Sequence, residues 1–67
     1  MSTGEKLKAL RGDKTQEEVA VDLGISKSAL AMYERDERVP RDEVKVQIAS
    51  YYKKSVGALF YGEGEHI

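Results

Sequence analysis

Between Thr15 and Glu34 the chain carries two helix starts with a helix stop between them, and this spacing restricts the fold more than any other feature. Thr15 is a good N-cap, and Glu18 three residues later completes a capping box. The Thr hydroxyl accepts from the Glu18 amide, and the Glu carboxylate accepts from the Thr15 amide. Gly24 stands where a helix must end in a left-handed residue, a conformation glycine adopts without steric penalty. Ser26 then caps a second helix that runs to about Arg35. Helices this short are marginal in water unless an apolar face packs against something. The remainder of the chain must therefore be their scaffold.

That remainder reads as three more helices. The first runs from about Gly4 to Arg11, with Leu7 and Leu10 on one face and Gly12 as its stop. Val19, Ala20 and Leu23 form the inner face of the helix that follows Thr15. Pro40 marks a loop, and Asp42 is expected to cap a fourth helix whose Val44, Ile48, Ala49 and Tyr52 recur at i, i+4, i+5 and i+8. Ser55 caps a last short helix carrying Val56, Leu59 and Phe60. No segment has a convincing strand period. The expectation is an all-α, compact five-helix bundle forming one domain over residues 1–67, with the paired short helices at about 15–35. The tail from residue 62 to 67 holds little that can pack and is expected to fray unless a partner pins it.

A chain of 67 residues buries a modest core. Without Cys, neither a disulfide framework nor a thiolate metal site can assist it. Helix packing or a dimer partner must supply the stability. The start, MSTGEKLKALRG, lacks the uninterrupted apolar run of a signal peptide, and no stretch is apolar enough to span a membrane. A cytoplasmic protein is the expectation. Eleven Lys and Arg against twelve Asp and Glu give a net charge of −1, which by itself does not favour a polyanionic partner. The charges are unevenly spread, however. Lys27, Arg35, Arg38 and Arg41 fall in or just after the helix capped by Ser26, while Glu17, Glu18 and Asp22 lie on the helix before it.

The helix after Ser26 has two unlike faces. At about 100° per residue, Ala29, Leu30 and Tyr33 cluster on one side. Lys27, Ser28, Ala31, Met32 and Arg35 occupy the other, which the core does not require. Small residues such as Ser28 and Ala31 allow a helix backbone to sit deep in a groove. Lys27 can reach guanine acceptors, Ser28 can donate or accept, and Met32 offers apolar contact to a thymine methyl. In isolation, such a face would usually be only a solvated one.

The assembled pattern closely resembles the Cro and phage-repressor type helix-turn-helix family, also called the Xre family. The matching residues are LKALR at 7–11, TQEEVA at 15–20, LGIS at 23–26 and SALAMYE at 28–34, followed by Val39-Pro40, IASYY at 48–52 and SVGALF at 55–60. The resemblance runs from Gly4 to about Gly62. It implies a lambda-repressor-like DNA-binding domain whose second short helix reads the major groove of double-stranded DNA. By resemblance, Lys27, Ser28 and Met32 are the base-contacting residues. Gln16 holds a backbone phosphate and braces the recognition helix, with Ser26, Arg35, Arg38 and Arg41 as further phosphate contacts. Arg11 and Glu34 form a structural ion pair that sets how the recognition helix sits.

The chain departs from the family after Glu34. Relatives commonly have a Gly two residues on, flanked by basic residues; here the run is Arg35-Asp36-Glu37-Arg38. Asp tolerates the left-handed conformation, but Asp36 and Glu37 are expected to bring negative charge near the phosphates, which Arg35, Arg38 and Arg41 must outweigh.

The leading functional expectation is a sequence-specific regulator, a repressor by resemblance, acting as a homodimer on a palindromic operator. Leu59, Phe60 and Tyr61, with Tyr51 nearby, are the interface candidates, Leu59 as core and Phe60 with Tyr61 as partly interfacial. The alternative is an antitoxin-like or adaptor module on the same fold with weak DNA affinity. An enzyme is set aside: there is no Cys, no carboxylate pair in an evident cleft, and the single His66 lies in the tail with Glu63 and Glu65. No cofactor, metal or small-molecule ligand is expected.

Overall fold

The computed structural model describes residues 1–62, which form five helices: α1 (Thr3–Arg11), α2 (Gln16–Leu23), α3 (Lys27–Glu34), α4 (Asp42–Tyr52) and α5 (Val56–Phe60). No strand occurs among the described residues, and the all-helical, five-helix expectation holds. The expected fraying of the tail, and His66 with Glu63 and Glu65, lie outside the described residues. Among those described, no helix is long and apolar enough to cross a membrane.

Local signals set most boundaries. Thr15 and Glu18 form both halves of their capping box, and Gly24 ends α2 at φ 71°, ψ 29°. Ser26 and Ser55 accept from the amides of Ala29 and Ala58, each at 3.0 Å. Two boundaries differ from expectation. α1 begins earlier, because Ser2 and Glu5 make a second capping box. Asp42 does not cap α4 but is its first residue; Arg41 takes the N-cap position, with extended backbone and no side-chain cap. Asp42 and Glu43 still serve the helix, since carboxylates in a first turn oppose its positive end.

Leu7, Val19, Leu30 and Ile48 are fully enclosed at the centre, surrounded by Ala20, Leu23, Tyr33, Val44, Ala49 and Leu59. Each large apolar side chain removed from water contributes roughly 1.5–3 kcal/mol before chain entropy is set against it. α3 packs on α1 and α2, α4 on α2 and α5, and α5 on α1. Thus α3 is supported from behind while its outer side stays open. α1 also closes the end of α5: Thr3 Oγ1 donates to the Leu59 carbonyl at 3.0 Å, and Lys6 Nζ to the Ala58 carbonyl at 2.8 Å. Leu59 is 3% exposed, so its side chain belongs to the chain's own core and is not available to a partner. Phe60 is half-buried, and Tyr61 is exposed.

The start of α1 meets the end of α3 at close quarters. A Cβ on Gly4 would collide with the Glu34 carbonyl and lie 2.9 Å from Asp36 Oδ2. Only glycine permits that approach, which brings the Gly4 amide to 2.9 Å from Asp36 Oδ1.

Candidate nucleic-acid interface

The N-terminal turn of α3 is presented rather than packed. Lys27 and Ser28 are exposed, Ala29, Ala31 and Met32 are half-buried, and Leu30 and Tyr33 are buried. α1, α2 and α4 each carry acids in their first turn; α3 carries none and begins with Lys27. A cation at the positive end of a helix opposes the helix dipole. The fold gains nothing from that charge, which is left able to meet an anion or an electronegative base edge.

The other end of α3 is anchored through Glu34, which is 3% exposed. Arg11 donates to it twice, Nε to Oε2 at 2.8 Å and Nη2 to Oε1 at 3.1 Å, and Gln16 Nε2 donates to Oε1 at 2.9 Å. One carboxylate therefore joins α1, α2 and α3, and the hydrogen bonds to it hold the Arg11 guanidinium protonated more firmly than usual. Arg11 Nη1 also donates to the Lys14 carbonyl at 2.8 Å, bracing the α1–α2 turn. Gln16 gives one amide hydrogen to Glu34, and its second has no acceptor among the described residues. Burial, and then the nearby Glu34 charge, push the Tyr52 phenol up to about 12. Its buried hydroxyl has no hydrogen-bond partner among the described residues.

A broad open groove lies between the end of α1, α2 and the outer side of α3. Its cations are Lys8, Arg11, Lys14, Lys27 and Arg35, and its acids Glu17, Glu18, Asp22 and Glu34. Lys8 and Lys14 were not singled out by sequence reasoning. The i, i+3 spacing of Lys8 and Arg11 could have revealed the first; Lys14 lies in a turn, where no periodicity operates. Three of the five cations already hold a carboxylate or its network. Arg11 is bound by Glu34, and Arg35 Nη2 lies 2.9 Å from Glu37 Oε1. Lys14 donates to Tyr51 Oη at 3.0 Å, and that hydroxyl donates to Asp22 Oδ2 at 2.7 Å. Lys8 and Lys27 hold no hydrogen bond or ion pair among the described residues.

The loop after α3 sends its two acids different ways: Asp36 turns back to α1, and Glu37 stays beside Arg35. Asp36 adopts φ 60°, the left-handed conformation that most often falls to glycine just past a helix end. Its amide donates to the Tyr33 carbonyl at 3.2 Å and the Glu37 amide to the Met32 carbonyl at 2.9 Å, the paired closure of a Schellman motif. The Asp36 carboxylate turns back to cap α1. Hydrogen bonds from Ser2 and then the Gly4 amide hold it below the usual carboxylate range. Asp36 therefore stabilises a helix start, and Glu37 neutralises Arg35.

Arg11, Gln16, Lys27, Glu34 and Arg35 come together in the groove. Ser26 and Ser28 flank Lys27; the Ser26 oxygen accepts from Ala29, and its hydroxyl hydrogen is free to donate. Met32 is half-buried on α3. Arg38 and Arg41 are exposed but do not line the groove. Arg38 instead borders a second, smaller cleft with Lys45, Phe60 and Tyr61, because the left-handed turn at Asp36 sends the chain towards α5. There the buried Lys45 ammonium lies 2.7 Å from Tyr61 Oη and 3.8 Å from Asp42.

A family model described as helix-turn-helix matches residues 7–59, from the core Leu7 on α1 to the core Leu59 on α5. No curated protein matches the chain.

Proposed function

The chain belongs to the Cro and phage-repressor type of helix-turn-helix family and is a DNA-binding regulator, and from that premise we propose that it acts as a sequence-specific repressor, binding a palindromic operator as a homodimer. The observation that carries this reading is the exposed Lys27–Ser28 turn, without a partner among the described residues, at the N-terminus of a helix otherwise locked to its scaffold. In the major groove, Lys27 bonds guanine O6 or N7, Ser28 bonds an adjacent base edge, and Met32 meets a thymine methyl. Gln16, Ser26 and Arg35 hold the phosphates along the groove, with Arg38 and Arg41 at the flank. Phe60 and Tyr61 join two copies so that their recognition helices reach half-sites about one helical turn apart. The protein works in the cytoplasm, without a small-molecule ligand and without a catalytic step.

A second reading has one observation in its favour. Arg11, Lys14 and Arg35 are engaged internally, and the net charge is −1. A protein-interaction module with weak DNA affinity would show the same economy of free cations. Binding to a selected duplex and to random duplexes, each titrated with salt, separates the two. A regulator binds the selected palindrome about a thousandfold or more tightly than random DNA, and affinity falls steeply with salt. Equal and feeble binding to both duplexes would leave the interaction module as the function.

A further inference from the structure

Arg35 differs from the other engaged cations of the groove in how its carboxylate is held. The partner of Arg11 is buried, and Lys14 reaches Asp22 through the fixed hydroxyl of Tyr51. Glu37 is a surface residue: its side chain is 54% exposed and that of Arg35 is 55% exposed, with 2.9 Å between Arg35 Nη2 and Glu37 Oε1. The pairing nevertheless rests on a built backbone. Glu37 donates its amide to the Met32 carbonyl, and Asp36 before it is pinned in the left-handed conformation by its bond to Gly4. The carboxylate is thereby tethered beside a guanidinium that lines the groove.

We propose that Glu37 is an intramolecular competitor for the backbone phosphate that Arg35 would otherwise take, and that it holds DNA affinity below what the groove's cations would give. The inference rests on the reading that the groove receives a phosphate backbone. A phosphate approaching Arg35 must displace the carboxylate or share the guanidinium with it. Sharing places two anions within a few ångströms, and the repulsion offsets the attraction. Displacement exchanges one anion for another on Arg35 and leaves Glu37 exposed beside the phosphate. Arg35 then behaves as a nearly neutral site and adds little to the salt dependence that counts neutralised phosphates.

The test uses the full chain, a selected duplex and a random duplex, with affinity measured from about 50 to 200 mM salt. Wild type is compared with Glu37→Gln, Arg35→Ala and the double variant. The expected result is that Glu37→Gln binds about 3- to 10-fold more tightly at low salt and steepens the salt slope by about 1, the share of one extra phosphate. In the Arg35→Ala background the same substitution changes neither quantity. Unchanged affinity and slope in Glu37→Gln would overturn the proposal, as would a gain that persists in full without Arg35, since Glu37 would then act only through overall charge. Failure of the wild type to bind either duplex would instead remove the reading that the groove receives a phosphate backbone, and the inference with it, whereas equal binding to both would remove only the operator.

Discussion

At its C-terminal end α3 is tied to α1 and α2 through Glu34 and to the start of α1 through Asp36, whereas at its N-terminal end Lys27 and Ser28 are exposed and hold no partner among the described residues. The contrast separates two tasks along eight residues of helix. One end fixes the direction of α3 against the scaffold, and the other offers side chains that the fold does not use. A reading helix needs both, because a base-edge hydrogen bond tolerates little error in position and a side chain held by the fold is not free to turn towards a base.

Three substitutions bear on that contrast. Glu34→Ala should have the largest effect. It leaves the Arg11 guanidinium, whose side chain is 18% exposed, and the Gln16 amide without their acceptor, at a loss of about 3–5 kcal/mol in urea unfolding. A small domain has only several kcal/mol in all, so partial unfolding at room temperature is the expected observation. A loss below about 1 kcal/mol would mean that the C-terminal end is not the anchor.

Lys27→Ala should act only at the other end. Operator binding weakens by about 1–3 kcal/mol and preference relaxes at one base position, while the unfolding midpoint holds or rises slightly as a cation leaves the helix N-terminus. An equal loss on every duplex would make Lys27 a phosphate contact, and a fall in the midpoint would erase the distinction between the two ends.

Asp36→Asn should have the smallest effect and sharpen the account of the anchored end. Asn keeps an acceptor for Gly4 and tolerates the left-handed backbone. Because hydrogen bonds depress the folded pKa of Asp36 below 3.8, its ionised form stabilises the fold above that value. The contribution is lost as pH falls through the folded value. Urea midpoints taken from about pH 5 to pH 2 should therefore decline less in Asp36→Asn than in the wild type. Parallel acid limbs would show that the Asp36 charge adds nothing to the cap.

What was legible from the sequence was local. Thr15, Gly24, Ser26 and Ser55 could be assigned because caps involve residues three positions apart, and Leu30 and Tyr33 because a helix repeats its face. The Ser2–Glu5 box has the same three-residue spacing and starts α1 ahead of Gly4. The candidate site was legible only where one helix carries it, as at Lys27 and Ser28. Lys14 enters the groove from a turn, and Arg38 leaves it for the cleft beside Tyr61. Neither follows from any period. Leu59 could be named as apolar, but whether it faced a partner or the chain's own core depended on where α1 and α4 lay.

By itself, then, the sequence determined the helices, their caps and the outward face of α3, because these depend on neighbours within a turn or two. Only the tertiary structure decided which charges are free. Arg11 meets Glu34 and Gly4 meets Asp36 across long separations in the chain. The left-handed turn at Asp36 carries Arg38 towards α5 and leaves Glu37 beside Arg35. Whether a charge is available to DNA depends on what lies within a few ångströms of it, and that distance is set by packing.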